Sequence, residues 1–353
     1  MSNIITCEQV SNGHPDKICD QIADAVVSDC LRHDRNSRVA IEVLIKDYNI
    51  VIAGELTSAY QPDYEELVEE VFRRIGEKRL GYDPQQFNIQ ILVSRQSPDI
   101  AQGVDVGGAG DQGMMFGYAT DETPELMPMP FVLATKLLEK LKKEKGFFRA
   151  DAKAQVSFDY DKWEIDTFLC SVQHSQKAEQ GQIYERVSQL MKDVASEFAL
   201  NTDFKILVNP TGRFAIGGPF ADSGVTGRKL ACDTYGGIGH IGGGAMSGKD
   251  PTKVDRSGAY AARKIARDIV RAGFADKCEV QIAYAIGVAE PVSIHVECFG
   301  TEHQEVGFIE DFIRGNYDLT PKGIIDSLGL LDVDYNAVSA YGHFGKTDLP
   351  WEN

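Results

Sequence analysis

Positive charge is scarce in this 353-residue chain: 36 Lys and Arg stand against 53 Asp and Glu, a net charge of −17. Binding to nucleic acid or to an acidic membrane depends on cations that neutralise phosphates, so neither is expected as a partner. No apolar run approaches the length of a membrane span, and residues 1–6 lack the basic start and apolar stretch of a secretory leader. The seven cysteines form no CxxC pair and are odd in number, which argues against a disulfide framework and for reduced thiols in a cytoplasmic location. The seven histidines show no HExxH or Cys/His ligand spacing, and GxSxG is absent. Zinc-site and serine-elbow chemistry are therefore not expected.

With 43% hydrophobic and 25% charged residues the composition is that of an ordinary globular protein, long enough for two or three domains or one composite fold. Residues 15–32 place Ile18, Ile22, Val26 and Cys30 at helical spacing behind Pro15. Residues 39–46 and 49–55 alternate as two strands joined by a tight turn, with Val39, Ile41, Val43 and Ile45 on one face and Glu42 on the other. Residues 64–75 form an amphipathic helix and 88–93 a third strand. The order recurs, with paired strands within 154–171, a helix over 183–198 and a strand over 205–208. It recurs again as strands over 279–286 and 292–299 and a helix over 306–313. Strand pairs followed by helices specify an α+β class, not a Rossmann sheet. Three similar strand-pair/helix domains are expected, over 1–100, 101–216 and 217–353. The polar, glycine-rich residues 96–113 are either a linker or an active-site lid.

Some of the cations cluster in glycine-rich loops. Residues 242–256 read Gly-Gly-Gly-Ala-Met-Ser-Gly-Lys-Asp-Pro-Thr-Lys-Val-Asp-Arg. Glycines admit backbone N–H groups to phosphate oxygens, Lys249 and Lys253 add charge, and aspartates suit Mg²⁺. Residues 243–249 satisfy the start of a P-loop pattern, but Asp250 replaces its hydroxyl and Pro251 separates it from the helix that follows. A P-loop-like ATPase or kinase and a charged surface turn both remain open. Residues 11–17 set His14, Asp16 and Lys17 around a helix N-terminus, where Asp16 is either an ordinary first-turn acid or a metal ligand. Residues 209–229 bring Arg213, Phe214, Asp222, Arg228 and Lys229 into one glycine-rich segment. In it Phe214 suits a purine face, Asp222 an amino group or ribose, and Arg228-Lys229 phosphates. Residues 108–113, with Asp111, and 149–153, with Asp151 and Lys153, are weaker signals of the same kind.

Together these ordered motifs, with residues 114–119 (Met-Met-Phe-Gly-Tyr-Ala), closely resemble the methionine adenosyltransferases, or S-adenosylmethionine synthases. The resemblance spans nearly the whole chain. It implies three similar α+β domains around a pseudo-threefold axis, in a homodimer whose two active sites lie between subunits, with dimers often pairing into a homotetramer. It implies ATP and L-methionine as substrates: the methionine sulfur attacks C5′ of ATP, and the expelled triphosphate is cleaved to pyrophosphate and phosphate. Two Mg²⁺ and one K⁺ per site are the implied ions. By similarity, His14, Lys153, Arg228, Lys229, Lys249 and Lys253 are catalytic. ATP is bound by His14, Asp111, Asp151, Lys153, Arg213, Phe214, Asp222, Arg228, Lys229, Ala245 and Lys249. Methionine is bound by Glu55, Gln96, Asp222 and Lys253; Asp16 and Asp255 hold Mg²⁺ and Glu42 holds K⁺. Residues 96–106 match the closing loop. Ile241, Met246 and Ala150 depart from the family's usual His, Phe and Pro.

Overall fold

Three sheets carry the described residues, and each takes one strand from a distant segment. The computed structural model describes residues 3–95 and 108–353. The first sheet runs β4 (Asn88–Ser94), β3 (Asn49–Thr57), β2 (Arg38–Lys46), β9 (Gly224–Val225). The second runs β1 (Ile4–Val10), β6 (Phe148–Asp159), β7 (Glu164–His174), β8 (Lys205–Val208). The third runs β11 (Ser293–Glu297), β10 (Lys277–Tyr284), β5 (Gly113–Thr120). The exchange is cyclic: the N-terminal part lends β1 to the middle sheet, the middle lends β5 to the last, and the last lends β9 to the first. None of the sheets is therefore confined to one of the spans 1–100, 101–216 and 217–353.

The local patterns explain the elements that form as expected. β2 and β3 pair from Arg38↔Thr57 to Lys46↔Asn49, and Asp47 enters the left-handed region (φ 50°) to close the turn. Val39, Ile41, Val43 and Ile45 are at most 1% exposed; burying such side chains contributes about 1.5–3 kcal/mol apiece. Helix α2 (Tyr64–Ile75) is capped by Asp63, whose side chain accepts the Glu66 N–H. Strands β1 and β5 and helix α4 (Met129–Lys143) were not expected from local pattern. β5 carries glycine mid-strand because a Cβ at Gly117 would lie 2.0 Å from the backbone of Ala262. The missing side chain lets helix α7 (Val254–Arg271) pack directly on the strand.

Helix α1 (Pro15–His33) differs most from its sequence reading: every residue from Pro15 to Leu31 is buried, the charged ones included. It is a central element with polar contacts on one flank and the main hydrophobic core on the other. A second core joins α4 and α5 (Gln180–Glu197) to β6 and β7. Short helix α3 (Glu77–Leu80) follows α2. Helices α6 (Leu230–Asp233), α8 (Val306–Asn316) and α9 (Pro321–Ser327) lie in the C-terminal part of the chain.

Candidate active site

His14 caps α1, its Nδ1 accepting the Asp16 N–H at 3.2 Å. That bond leaves Nε2–H as the ring's donor. Burial, reinforced by Lys153, Lys229 and Lys17 and opposed by Asp16, pushes the His14 pKa down to about 3, so the imidazole is neutral at physiological pH. Two residues on, Asp16 Oδ1 accepts the Val225 N–H (2.9 Å), Oδ2 meets Lys229 Nζ (2.7 Å), and Arg228 Nε lies 3.7 Å from Oδ1. Burial opposes its ionisation, yet Lys229 and the Val225 N–H outweigh it and hold the carboxyl below its ordinary value.

β6 brings Asp151 and Lys153 to the same cluster. Asp151 is buried; its Oδ2 accepts the Gly218 N–H at 2.8 Å, and its Oδ1 has no hydrogen-bond partner among the described residues. Burial pushes its pKa up to about 6, with Asp222 and Asp16 adding to the rise and Gly218 and Lys153 opposing it. Lys153 is exposed and Asp222 is exposed, its Oδ1 holding the Ser223 N–H.

A second cluster surrounds the triple-glycine loop. Lys249 bridges to Ala40 on β2, and its Nζ lies 2.6 Å from Asp255 Oδ2 at the start of α7. A Cβ at Gly244 would stand 2.1 Å from Asp255 Oδ1, so only glycine allows that approach. Lys253 pairs with fully buried Asp250, which also accepts the Val39 N–H (2.7 Å). Glu42 and Glu55 are diagonal neighbours on the outward face of β2 and β3, where Glu42 opposes Ala53 and Glu55 opposes Ala40. Burial and the Glu55 charge push the Glu42 carboxyl up, with Lys249 opposing.

The two clusters form one continuous surface. β9 pairs with Leu44 and Ile45, and Thr226 Oγ1 accepts the Val43 N–H at 3.0 Å, so both cation loops lie along β2. They meet where a Cβ at Gly227 would lie 2.5 Å from that of Ala245. Among the described residues, no hydrogen bond joins Arg213 or Phe214 to either cluster. The Phe214 backbone instead clamps His174, its N–H donating to Nε2 (3.0 Å) and its carbonyl accepting the His174 N–H (2.9 Å). Asp111 is exposed, two residues before Gly113, whose Cβ position is 3.8 Å from Asp255 Oδ1. Gln96 and the expected lid at 96–106 lie outside the described residues.

The P-loop geometry does not form. No strand leads into Gly243, and a turn through Pro251 separates Lys249 from the helix at Val254; Asp250 is spent on Val39 and Thr252 instead. Sequence reasoning also passed over Asp20, Asp24 and Asp233, buried acids that hold this surface from below. The one signal for the first two was their four-residue spacing from Asp16.

Three family models match in order: S-adenosylmethionine synthetase N-terminal domain over residues 2–98, central domain over 106–214 and C-terminal domain over 216–353. The chain is 45% identical to the S-adenosylmethionine synthase of Mycoplasma capricolum subsp. capricolum, over 99% of this chain and 94% of that protein. It is 44% identical to that of Mycoplasma mycoides subsp. mycoides SC over the same shares.

Proposed function

The chain belongs to the S-adenosylmethionine synthetase family, and we propose how its own residues carry the transfer of the adenosyl group of ATP to L-methionine. A neutral thioether attacking C5′ needs no general base; the demand is to position the reactants and to stabilise charge on the departing triphosphate. The observation that carries the proposal is the junction of the two cation loops, which joins His14, Arg228, Lys229 and Lys249 in one connected surface. Lys153, Arg228, Lys229 and Lys249 hold the triphosphate, and neutral His14 donates from Nε2–H to the oxygen on which charge develops. Asp151 accepts from ribose or base through its unpartnered Oδ1. Phe214 stacks on adenine, with Arg213, Asp111 and Ala245 around the nucleotide. Glu55, Gln96, Asp222 and Lys253 serve methionine, two of them as counter-charges to its ammonium.

Among the described residues no group of three or more His, Cys, Asp or Glu side chains gathers to hold a metal alone. Asp16 and Asp255, single carboxylates each beside a lysine of the cation loops, suit Mg²⁺, which keeps several waters and takes phosphate oxygens with one or two carboxylates. Asp16 and Asp255 are the ligands in this proposal, two Mg²⁺ per site, and Glu42 holds one K⁺ beside Glu55. The ions would supply positive charge to the triphosphate and to the strand face that receives it.

The Glu42 and Glu55 part of the proposed site lies on an open face. On the outward side of the first sheet, Leu44 (43% exposed) and Leu92 (55%) stand beside Glu42 and Glu55. Exposed apolar surface rimmed by charge marks protein contact, which supports a homodimer that completes the site, with dimers pairing as tetramers. All seven cysteines are free and buried, which supports a cytoplasmic location, and no helix among the described residues is long and apolar enough to cross a membrane.

The test is a mass-spectrometric product assay with ATP, L-methionine, Mg²⁺ and K⁺, and a control lacking methionine. S-adenosylmethionine with phosphate and pyrophosphate is the expected result. ADP formed without methionine would replace it with a kinase or ATPase.

A further inference from the structure

Three aspartates recur every fourth residue on α1, and each takes a backbone N–H from a different point of the cation loops. Asp16 Oδ1 accepts from Val225, Asp20 Oδ1 from Gly227 and Asp24 Oδ1 from Gly248, all at 2.9 Å. Four residues make about one turn, so the carboxylates form one ladder up a single helix face. Arg228 and Lys229 follow Gly227 directly, and Lys249 follows Gly248.

Asp20 and Asp24 are both 0% exposed. A buried carboxylate costs free energy unless it is paired and hydrogen-bonded. Each has a cation: Lys17 Nζ lies 2.9 Å from Asp20 Oδ2 and also binds Asp233, while Arg256 binds Asp24. Bonds from an N–H to an ionised acceptor are roughly twice as strong as neutral ones. The ion pair alone would satisfy a merely structural need at Asp20, and Asp24 leaves its Oδ2 without a hydrogen-bond partner among the described residues while its Oδ1, which binds Arg256, also takes a loop amide; both aspartates thus reach out to loop amides beside the cations.

We propose that Asp20 and Asp24 are positioning residues, which use α1 as a common ruler to set Lys229 and Lys249 in register with His14 and Asp16. The proposal rests on the reading that Lys229 and Lys249 hold the triphosphate. Helix α1 begins at His14, so the donor at the leaving oxygen and the cations on the phosphates are spaced by the same rigid element. Neither aspartate touches substrate.

The test is a pair of double-mutant cycles on the full-length protein, with the affinity for inorganic tripolyphosphate plus Mg²⁺ read by calorimetry. Asp20→Asn leaves Lys17 balanced by Asp233, which favours folding, and thermal melting checks that the variant is folded. It should weaken tripolyphosphate about tenfold and lower kcat while the KM for methionine stays within about twofold. Combined with Lys229→Ala it should add little further loss, whereas combined with Lys249→Ala the losses should multiply. Asp24→Asn should show the reverse pattern, coupling to Lys249→Ala, and it decides the matter alone where Asp20→Asn does not fold. Losses that multiply in every combination, unchanged tripolyphosphate affinity, or failure of both variants to fold would overturn the positioning role. Unchanged affinity in Lys229→Ala and Lys249→Ala themselves would instead overturn the triphosphate reading beneath it.

Discussion

Lys229 Nζ sits 2.7 Å from Asp16 Oδ2, with the Asp16 side chain 2% exposed and that of Lys229 19%. An ammonium committed to a carboxylate is only partly available to a phosphate, so if Lys229 holds the triphosphate as proposed, another cation such as Mg²⁺ would have to take its place at Asp16. Triphosphate and Mg²⁺ affinities should therefore be coupled through this pair. Chelating Mg²⁺ should weaken tripolyphosphate at least about tenfold in the natural chain and much less in Asp16→Asn. Equal Mg²⁺ dependence in both proteins, measured by calorimetry, would exclude the exchange.

His14 is held neutral, and the sign of its effect follows from that. Its pKa falls from an ordinary 6.5 to about 3 on folding, first through burial and then through Lys153, Lys229 and Lys17. The unfolded chain takes up its proton first, so the stability tied to neutral His14 is complete above about pH 6.5 and is lost as pH falls toward 3. His14→Asn should flatten the stability profile over that window, and ring-nitrogen NMR should find His14 neutral at pH 5. Tripolyphosphate, by offsetting the neighbouring lysines, should raise its pKa.

The same residue should separate binding from turnover. A donor to the leaving oxygen gains strength only as charge develops, so His14→Asn should lower kcat by about 10²–10³-fold with a much smaller change in ATP affinity. Rapid-quench measurement of the single-turnover transfer step, beside equilibrium ATP binding, distinguishes this from equal losses in both.

Asp151 carries the opposite sign. Its folded pKa, raised to about 6 mainly by burial, means that folding favours the protonated acid, and stability declines as pH rises from about 4 to 6 and stays lower above. Asp151→Asn should raise the melting temperature at pH 8, leave it little changed near pH 4, and weaken ATP binding. A variant less stable than the natural chain at pH 8 would show that the carboxylate is compensated in the folded state.

The strands and helices that were legible in the sequence are those whose pattern is local: β2, β3 and α2 each declare their buried face within a dozen residues. β1 and β5 were not, because they are completed by partners far along the chain, Val10 opposite Lys153 and Gly117 opposite Val280. The glycine-rich cation loops were legible because glycines, lysines and arginines fall side by side there in an otherwise acidic chain. Asp20 and Asp24 were not, since acids on a helix ordinarily face water. Their meaning comes from amides 207 and 224 positions away, which no local pattern contains.

Gly244 offers a change that touches one ion pair alone. A methyl group there would fall 2.1 Å from Asp255 Oδ1 and must displace the carboxylate that Lys249 holds. Gly244 itself is in neither hydrophobic core, the loop's anchors in the first being Met246 and Val254, so Gly244→Ala should move the melting temperature little. It should cost activity about as much as Asp255→Asn, and the double variant should be no worse than either, because both act on the same contact. Independent losses would separate Gly244 from Asp255.

The outward face of the first sheet makes the last demand on the proposed assembly. Leu44 opposes Val51, and Leu92 lies beside Ala53, on the face that carries Glu42 and Glu55. If a second copy covers that face, a charge at its apolar centre would be buried without a partner, which costs several kcal/mol. Leu44→Glu or Leu92→Glu should therefore shift the protein to monomers in light scattering and abolish adenosyl transfer, although every sequence-predicted site residue is intact. In a monomer these positions face water, so the melting temperature of the variant should not depend on protein concentration. A variant that stays dimeric and active would place the subunit contact on another surface, and a monomer that stays active would show that one chain completes the site alone.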